Sequence, residues 1–161
     1  MRMRALAIHE DAAARLDTLL SAFLSDAGAT AALLLDRGGQ PLATVGAVPG
    51  PDAASVGALA AGAFASTFAL ARLLGEPEFT SLFHEGAHER LHASAVDDNT
   101  LLLALFDART TAGMVRLFAR ETSRAIAQVL EDQRLRPRRI GALAAPMTDD
   151  EARQAIGHRP A

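Results

Sequence analysis

The residues 84–88, His84-Glu85-Gly86-Ala87-His88, spell the H-E-x-x-H pattern by which a zinc peptidase holds its metal and its general base. That chemistry needs a helix, which brings the two histidines onto one face with the glutamate beside the metal-bound water. Here the pattern straddles Gly86 between two strand-like runs, and Glu89 follows at once. His84, His88 and His92 recur every four residues, a spacing that converges on a helix and not on a hairpin. A turn with solvated histidines is the better reading, and a zinc peptidase built on His84, Glu85 and His88 is a remote alternative.

Other chemistry fares worse. Cysteine is absent, which removes thiolate nucleophiles, disulfides and sulfur-ligated metal. Every Lys/Arg position is Arg, so no Walker-type, Schiff-base or kinase-type lysine exists. None of the serines sits in a G-x-S-x-G elbow. Asp97-Asp98-Asn99 lacks the ligand ladder of a calcium loop and reads as a tight turn. The residues ask for no cofactor and no metal. A net charge of -3 gives no overall pull toward nucleic acid.

The elements follow from spacing. Leu16, Leu19, Leu20, Phe23 and Leu24 predict an amphipathic helix from Glu10 to Asp26, stopped by Gly28. Ala31–Leu35 and Pro41–Val45, around Gly38-Gly39, predict a hairpin. Phe79–His84, Arg90–Val96 and Thr100–Phe106 predict a three-stranded meander. Leu101–Phe106 is apolar on both faces, so it belongs at the sheet's centre. Thr110 or Thr111 starts a last helix to about Gln133. The order is α-β-β-α-β-β-β-α, an α+β fold with a five-stranded antiparallel sheet and packed helices. Residues 1–133 are expected to form one domain and 134–161 a tail. That tail has a basic linker (Arg134, Arg136, Arg138, Arg139) and a capping-box-like start at Thr148 for a short helix. No apolar leader opens the chain, which is expected to be cytoplasmic.

The middle helix, Ala53–Leu74, carries no charge before Arg72. At 100° per residue, Val56, Leu59, Ala60, Ala63, Thr67, Leu70 and Leu74 share one face, expected on the sheet. The other face holds Ala54, Ala58, Ala61, Ala65, Phe68, Ala69 and Arg72, and it too is apolar. A helix apolar all round must be covered all round. Cover from within the chain and a membrane span both compete, but the neighbouring sheet-like segments favour an interface with another protein over a span.

The run Ala31–Gly39 resembles the first hairpin of Roadblock/LC7 domains. Leu70–Gly86 (LARLLGEPEFTSLFHEG) and Arg90–Leu130 are similar to the branch whose bacterial members regulate Ras-like GTPases. The resemblance spans about Asp11 to Glu131. It implies a profilin-like sandwich, and a homodimer formed by side-by-side middle helices and joined third strands, with Phe79, Ser81 and Phe83 on the dimer edge. It implies an MglA-like small GTPase as partner, with Ala61, Ala65, Phe68, Ala69 and Arg72 of the middle helix meeting the GTPase, the second copy or both. The GTPase would supply its own catalytic groups, so the chain would be a GTPase-activating regulator and not an enzyme, in bacterial polarity or motility. A structural adaptor without activating effect is the alternative. Phe68 departs from the small, polar residues this family tends to carry there. Profilin-like sheets can also hold pockets, which leaves a small-ligand sensor as a further reading.

Overall fold

The computed structural model describes residues 8–50 and 52–135. The predicted basic linker beyond Arg134 and the short helix after Thr148 lie outside these residues. Three helices and five strands follow in the predicted order: α1 (Glu10–Ala27), β1 (Ala31–Asp36), β2 (Pro41–Gly46), α2 (Ala53–Leu73), β3 (Ser81–Glu85), β4 (Arg90–Asp97), β5 (Thr100–Phe106) and α3 (Ala112–Leu135).

The strands pair antiparallel in the order β2-β1-β5-β4-β3. α1 and α3 cover one face of the sheet and α2 the other. Successive strand residues point to opposite faces, so β1 and β5 feed two cores. Ala32, Leu34, Leu102, Ala104 and Phe106 pack under α1 and α3 with Leu16, Leu20, Phe23, Val115, Ile126 and Leu130. Leu33, Leu35, Leu101, Leu103 and Leu105 face α2. Helices on both sides explain why these central strands are apolar without alternation.

Local chemistry sets the ends. α1 begins with Glu10 and Asp11, which suit the positive end of the helix dipole, and stops at Gly28 in the left-handed region. Asp52 caps α2 by accepting from the Ser55 amide and hydroxyl. Of the two candidate caps for α3, Thr111 is used: its hydroxyl accepts from the Met114 amide at 3.2 Å. Thr110 instead donates to the Ala27 carbonyl at 2.7 Å and ties the end of α1 to the start of α3.

α2 is seated differently from the predicted phase. Gly57, Ala60, Ala61, Phe64 and Ala71 are its buried residues, with Val56 half-buried beside them. Leu59, Ala63, Leu70 and Leu74, expected on the sheet, face outward. The reason is volume. The sheet already contributes five leucines to this layer, so the helix that fits on it supplies small side chains. One reciprocal contact fixes its height. A Cβ on Gly57 would meet the Gly39 carbonyl oxygen at 2.4 Å, and one on Gly39 would meet the Gly57 carbonyl oxygen at 2.6 Å. Gly39 is also held at φ +84° in the β1–β2 turn, which only glycine adopts cheaply.

Candidate partner interface

α2 lies alone on its side of the sheet, and its outward face has no cover from the described residues. Leu73 is 86% and Leu59 77% exposed; Leu70 and Leu74 are each more than half exposed. Between them lie Ala54, Ala58, Gly62, Ala63, Ala65 and Ala69, all exposed. Arg72 is the one charged residue within the helix. Among the described residues, α2 is the one helix long and apolar enough to cross a membrane; here its inner side rests on a five-stranded sheet. A contiguous apolar surface of this kind on a folded domain marks a contact site.

The predicted docking residues divide. Ala65, Ala69 and Arg72 are on the outward face. Ala61, expected beside them, is 4% exposed and packs on the sheet. Phe68 stands at the flank, 36% exposed, with its ring edge-on to Phe79 at 6.3 Å between centroids. Phe79 in turn packs on Phe64 at 5.1 Å. The three rings pack together under the C-terminal half of α2, so Phe68 contributes to the fold as well as to the surface. The helix shows nearly uniform apolarity, which hid this phase. The stripe Gly57, Ala60, Ala61, Phe64 at helical spacing was the available signal.

A cleft of about 430 Å³ opens below Phe68, lined by Ala65, Phe79, Leu101, Arg37, Asp97 and Asp98 among others. Its lining joins apolar side chains to three charged ones, Arg37, Asp97 and Asp98. Burial of the Asp97 carboxyl opposes ionisation. The Asn99 amide, the Thr100 hydroxyl and Arg134 outweigh that and hold its pKa below the usual carboxylate value. Arg134 reaches it at 2.8 Å. Asp97-Asp98-Asn99 is therefore the tight β4–β5 turn expected from its sequence, and Arg134 is an ion-pair partner, not simply a solvated linker charge.

The expected dimer edge is β3, and it is an edge of the sheet: β4 pairs one side of it and no strand of the described chain pairs the other. Ser81 and Phe83 are in it. Phe79, predicted there, precedes the strand and belongs to the ring cluster under α2. Phe83 faces the other layer and lies 6.1 Å from Phe106. The H-E-x-x-H residues do not form a helix. His84 and Glu85 end β3, Glu85 pairs with Arg90 at 3.3 Å, and His88 lies in the β3–β4 turn. Among the described residues no group of three or more His, Asp or Glu is placed to hold a metal ion.

The sequence profile of the Roadblock/LC7 domain matches residues 15–106, and the chain belongs to that family. Its fold is similar to solved structures of MglB. One, described as MglB with tetrameric arrangement, is 31% identical, with 81% of this chain and 98% of that chain covered and a TM-score of 0.75. Another, the gliding protein MglB from Thermus thermophilus, is 32% identical over 81% of this chain and 99% of that one, with a TM-score of 0.73. Profilin II of Acanthamoeba castellanii, 16% identical, shares the fold at a TM-score of 0.50, with 70% and 94% of the two chains covered. Comparison with curated proteins returned no match.

Proposed function

We propose that this chain is a non-catalytic, cytoplasmic regulator of a small Ras-like GTPase of the MglA type, acting as a homodimer in bacterial polarity or motility. The observation that carries the proposal is the outward face of α2. Apart from Arg72 and the exposed Ser55 and Ser66 it is apolar, nothing among the described residues covers it, and it sits beside a β3 edge that no described strand pairs. The likeness to MglB over nearly the whole of that protein supports the choice of partner. Two copies would meet through β3 and α2, which doubles the platform. The GTPase would rest on it and supply the reacting groups itself.

In this reading the regulator works by population shift. It accelerates hydrolysis only if it binds the hydrolysis-competent, GTP-loaded switch better than the GDP form. A difference of about 3 kcal/mol biases the switch by roughly 150-fold.

Single-turnover GTP hydrolysis by an MglA-type GTPase, titrated with this protein, tests it. Acceleration should saturate near two regulator chains per GTPase. Ala65→Asp and Leu70→Asp place a charge on the outward face and should abolish the acceleration while the protomer stays folded, read by circular dichroism. Binding without acceleration would make the chain an adaptor. Full acceleration by both variants would move the docking site off α2.

A further inference from the structure

On the opposite side of the sheet a second cleft of about 430 Å³ runs between β3–β4 and α3. Its helical wall carries Arg116, Arg120 and Arg124. These lie at i, i+4 and i+8, so they follow one side of the helix over about 12 Å of its axis. Among the described residues none of the three forms an ion pair. Like charges at that spacing weaken a helix. The base of the cleft is polar and buried: His92 is 4%, Ser94 8% and Ser123 8% exposed. Both His92 ring nitrogens and both serine hydroxyls lack a hydrogen-bond partner. Such groups are normally satisfied, because leaving them unpaired costs stability. Burial, reinforced by the nearby Arg116, lowers the His92 pKa, so the imidazole is neutral at pH 7 and offers one N–H. Thr80 and Ser81 add two more hydroxyls, and Glu78 is the one carboxylate on the rim.

A repelling row of cations and a floor of unpaired donors have one remedy in common, a compact anion with several acceptor oxygens. We propose that this cleft binds a phosphate-bearing small molecule, its phosphate between the arginine row and the Ser94 and Ser123 hydroxyls. Guanidinium forks match phosphate oxygens geometrically. The volume falls in the range of small-molecule sites. An acidic peptide fits less well, since a chain laid across the opening would reach the arginines but not the buried hydroxyls. The site lies away from the outward face of α2 and does not depend on the GTPase reading.

The test is calorimetric titration of the full chain with inorganic pyrophosphate, guanosine monophosphate and a hexaglutamate peptide. Pyrophosphate, the nucleotide or both should bind at one site per chain with a Kd below about 1 mM. The stronger of the two identifies a free or a nucleoside-borne phosphate as the source. Arg120→Ala should weaken binding by roughly tenfold or more, the loss of a charge-assisted pair. Arg15→Ala, a charge-matched change on α1, should not. Ser123→Ala separates a binding role from a structural one. It removes a buried unpaired hydroxyl, so it should raise or preserve the melting temperature while weakening the phosphate several-fold. No saturation by either phosphate compound, equal losses in Arg15→Ala and Arg120→Ala, or binding of hexaglutamate alone would each overturn the proposal.

Discussion

Two glycines of α2 should respond unequally to the same substitution. Gly→Ala inside a helix gains about 1 kcal/mol from propensity. A Cβ on Gly62 meets nothing within 4 Å, so Gly62→Ala should realise that gain. A Cβ on Gly57 would lie 2.4 Å from the Gly39 carbonyl oxygen and 2.9 Å from Leu35 Cδ2. The leucine tip can turn aside, but the carbonyl belongs to a turn locked by hydrogen bonds from the Gly38 and Gln40 amides to Asp36, at 2.8 and 2.9 Å. The helix end must lift instead. Overpacking of this kind costs about 1–3 kcal/mol, which cancels or exceeds the propensity gain. The two variants should therefore differ by about 1–3 kcal/mol, or roughly 2–12 °C in melting temperature for a chain of this size. Urea unfolding at one low protomer concentration reads this most directly, because contact between copies then adds least to the midpoint. Equal stabilisation of both variants would refute the reasoning, since it would mean that α2 does not sit on the hairpin turn at glycine distance.

Leu103→Asp should unfold the domain, seen as loss of the cooperative melt, because it places a carboxylate at a fully buried position of the central strand β5. His92 predicts a pH dependence. Its folded pKa lies below the ordinary 6.5, so the unfolded chain binds the extra proton more readily. Stability should be unaffected by this group above about pH 6.5 and should fall as pH drops from there toward the lowered folded value. His92→Gln, followed by chemical denaturation across that window, should flatten the slope, and an unchanged slope would assign it to another group. His84→Ala should leave any effect on GTP hydrolysis intact, because the residue ends a strand away from the outward face of α2. Complete loss of regulation in the turnover assay would assign His84 to the contact between copies at β3.

The element order was legible because each element carries a strong local signal. α1 and α3 have sharp apolar stripes, Gly28, Gly39 and Asp97-Asp98-Asn99 punctuate the chain, and the apolar run in β5 leaves it only a central place. The rotation of α2 was not legible in the same way. A helix of alanine, glycine, leucine and phenylalanine has too little contrast between faces for periodicity to rank them. Its seat is decided by the five leucines of β1 and β5, which sequence places in two other elements. Phe79 is a second case of the same kind: an aromatic before a strand reads as strand until the Phe64 and Phe68 rings that claim it are in view. The cleft at α3 depends on residues from β3, β4 and α3 that share no motif. The spacing of Arg116, Arg120 and Arg124 along α3 carries no meaning until folding brings Ser94 of β4 and Ser123 of α3 together beside them.

The composition of the outward face of α2 also governs what binding there would cost. Nearly half of the exposed positions on it are alanine or glycine, which have no rotamers to lose, whereas a lysine or glutamate surface surrenders about 1.5–2 kcal/mol for each side chain fixed. A partner arriving on Ala54, Ala58, Gly62, Ala63, Ala65 and Ala69 would meet a surface whose shape is set before contact. The same economy limits discrimination. Methyl groups offer no hydrogen bonds to withhold from a wrong partner, so selectivity on this face has to rest on contour and on its other exposed residues: Leu59, Phe68, Leu70, Leu73, the hydroxyls of Ser55 and Ser66 and the single charge of Arg72. Such a surface is stiff and inexpensive to cover, and it is distinctive only at its margins.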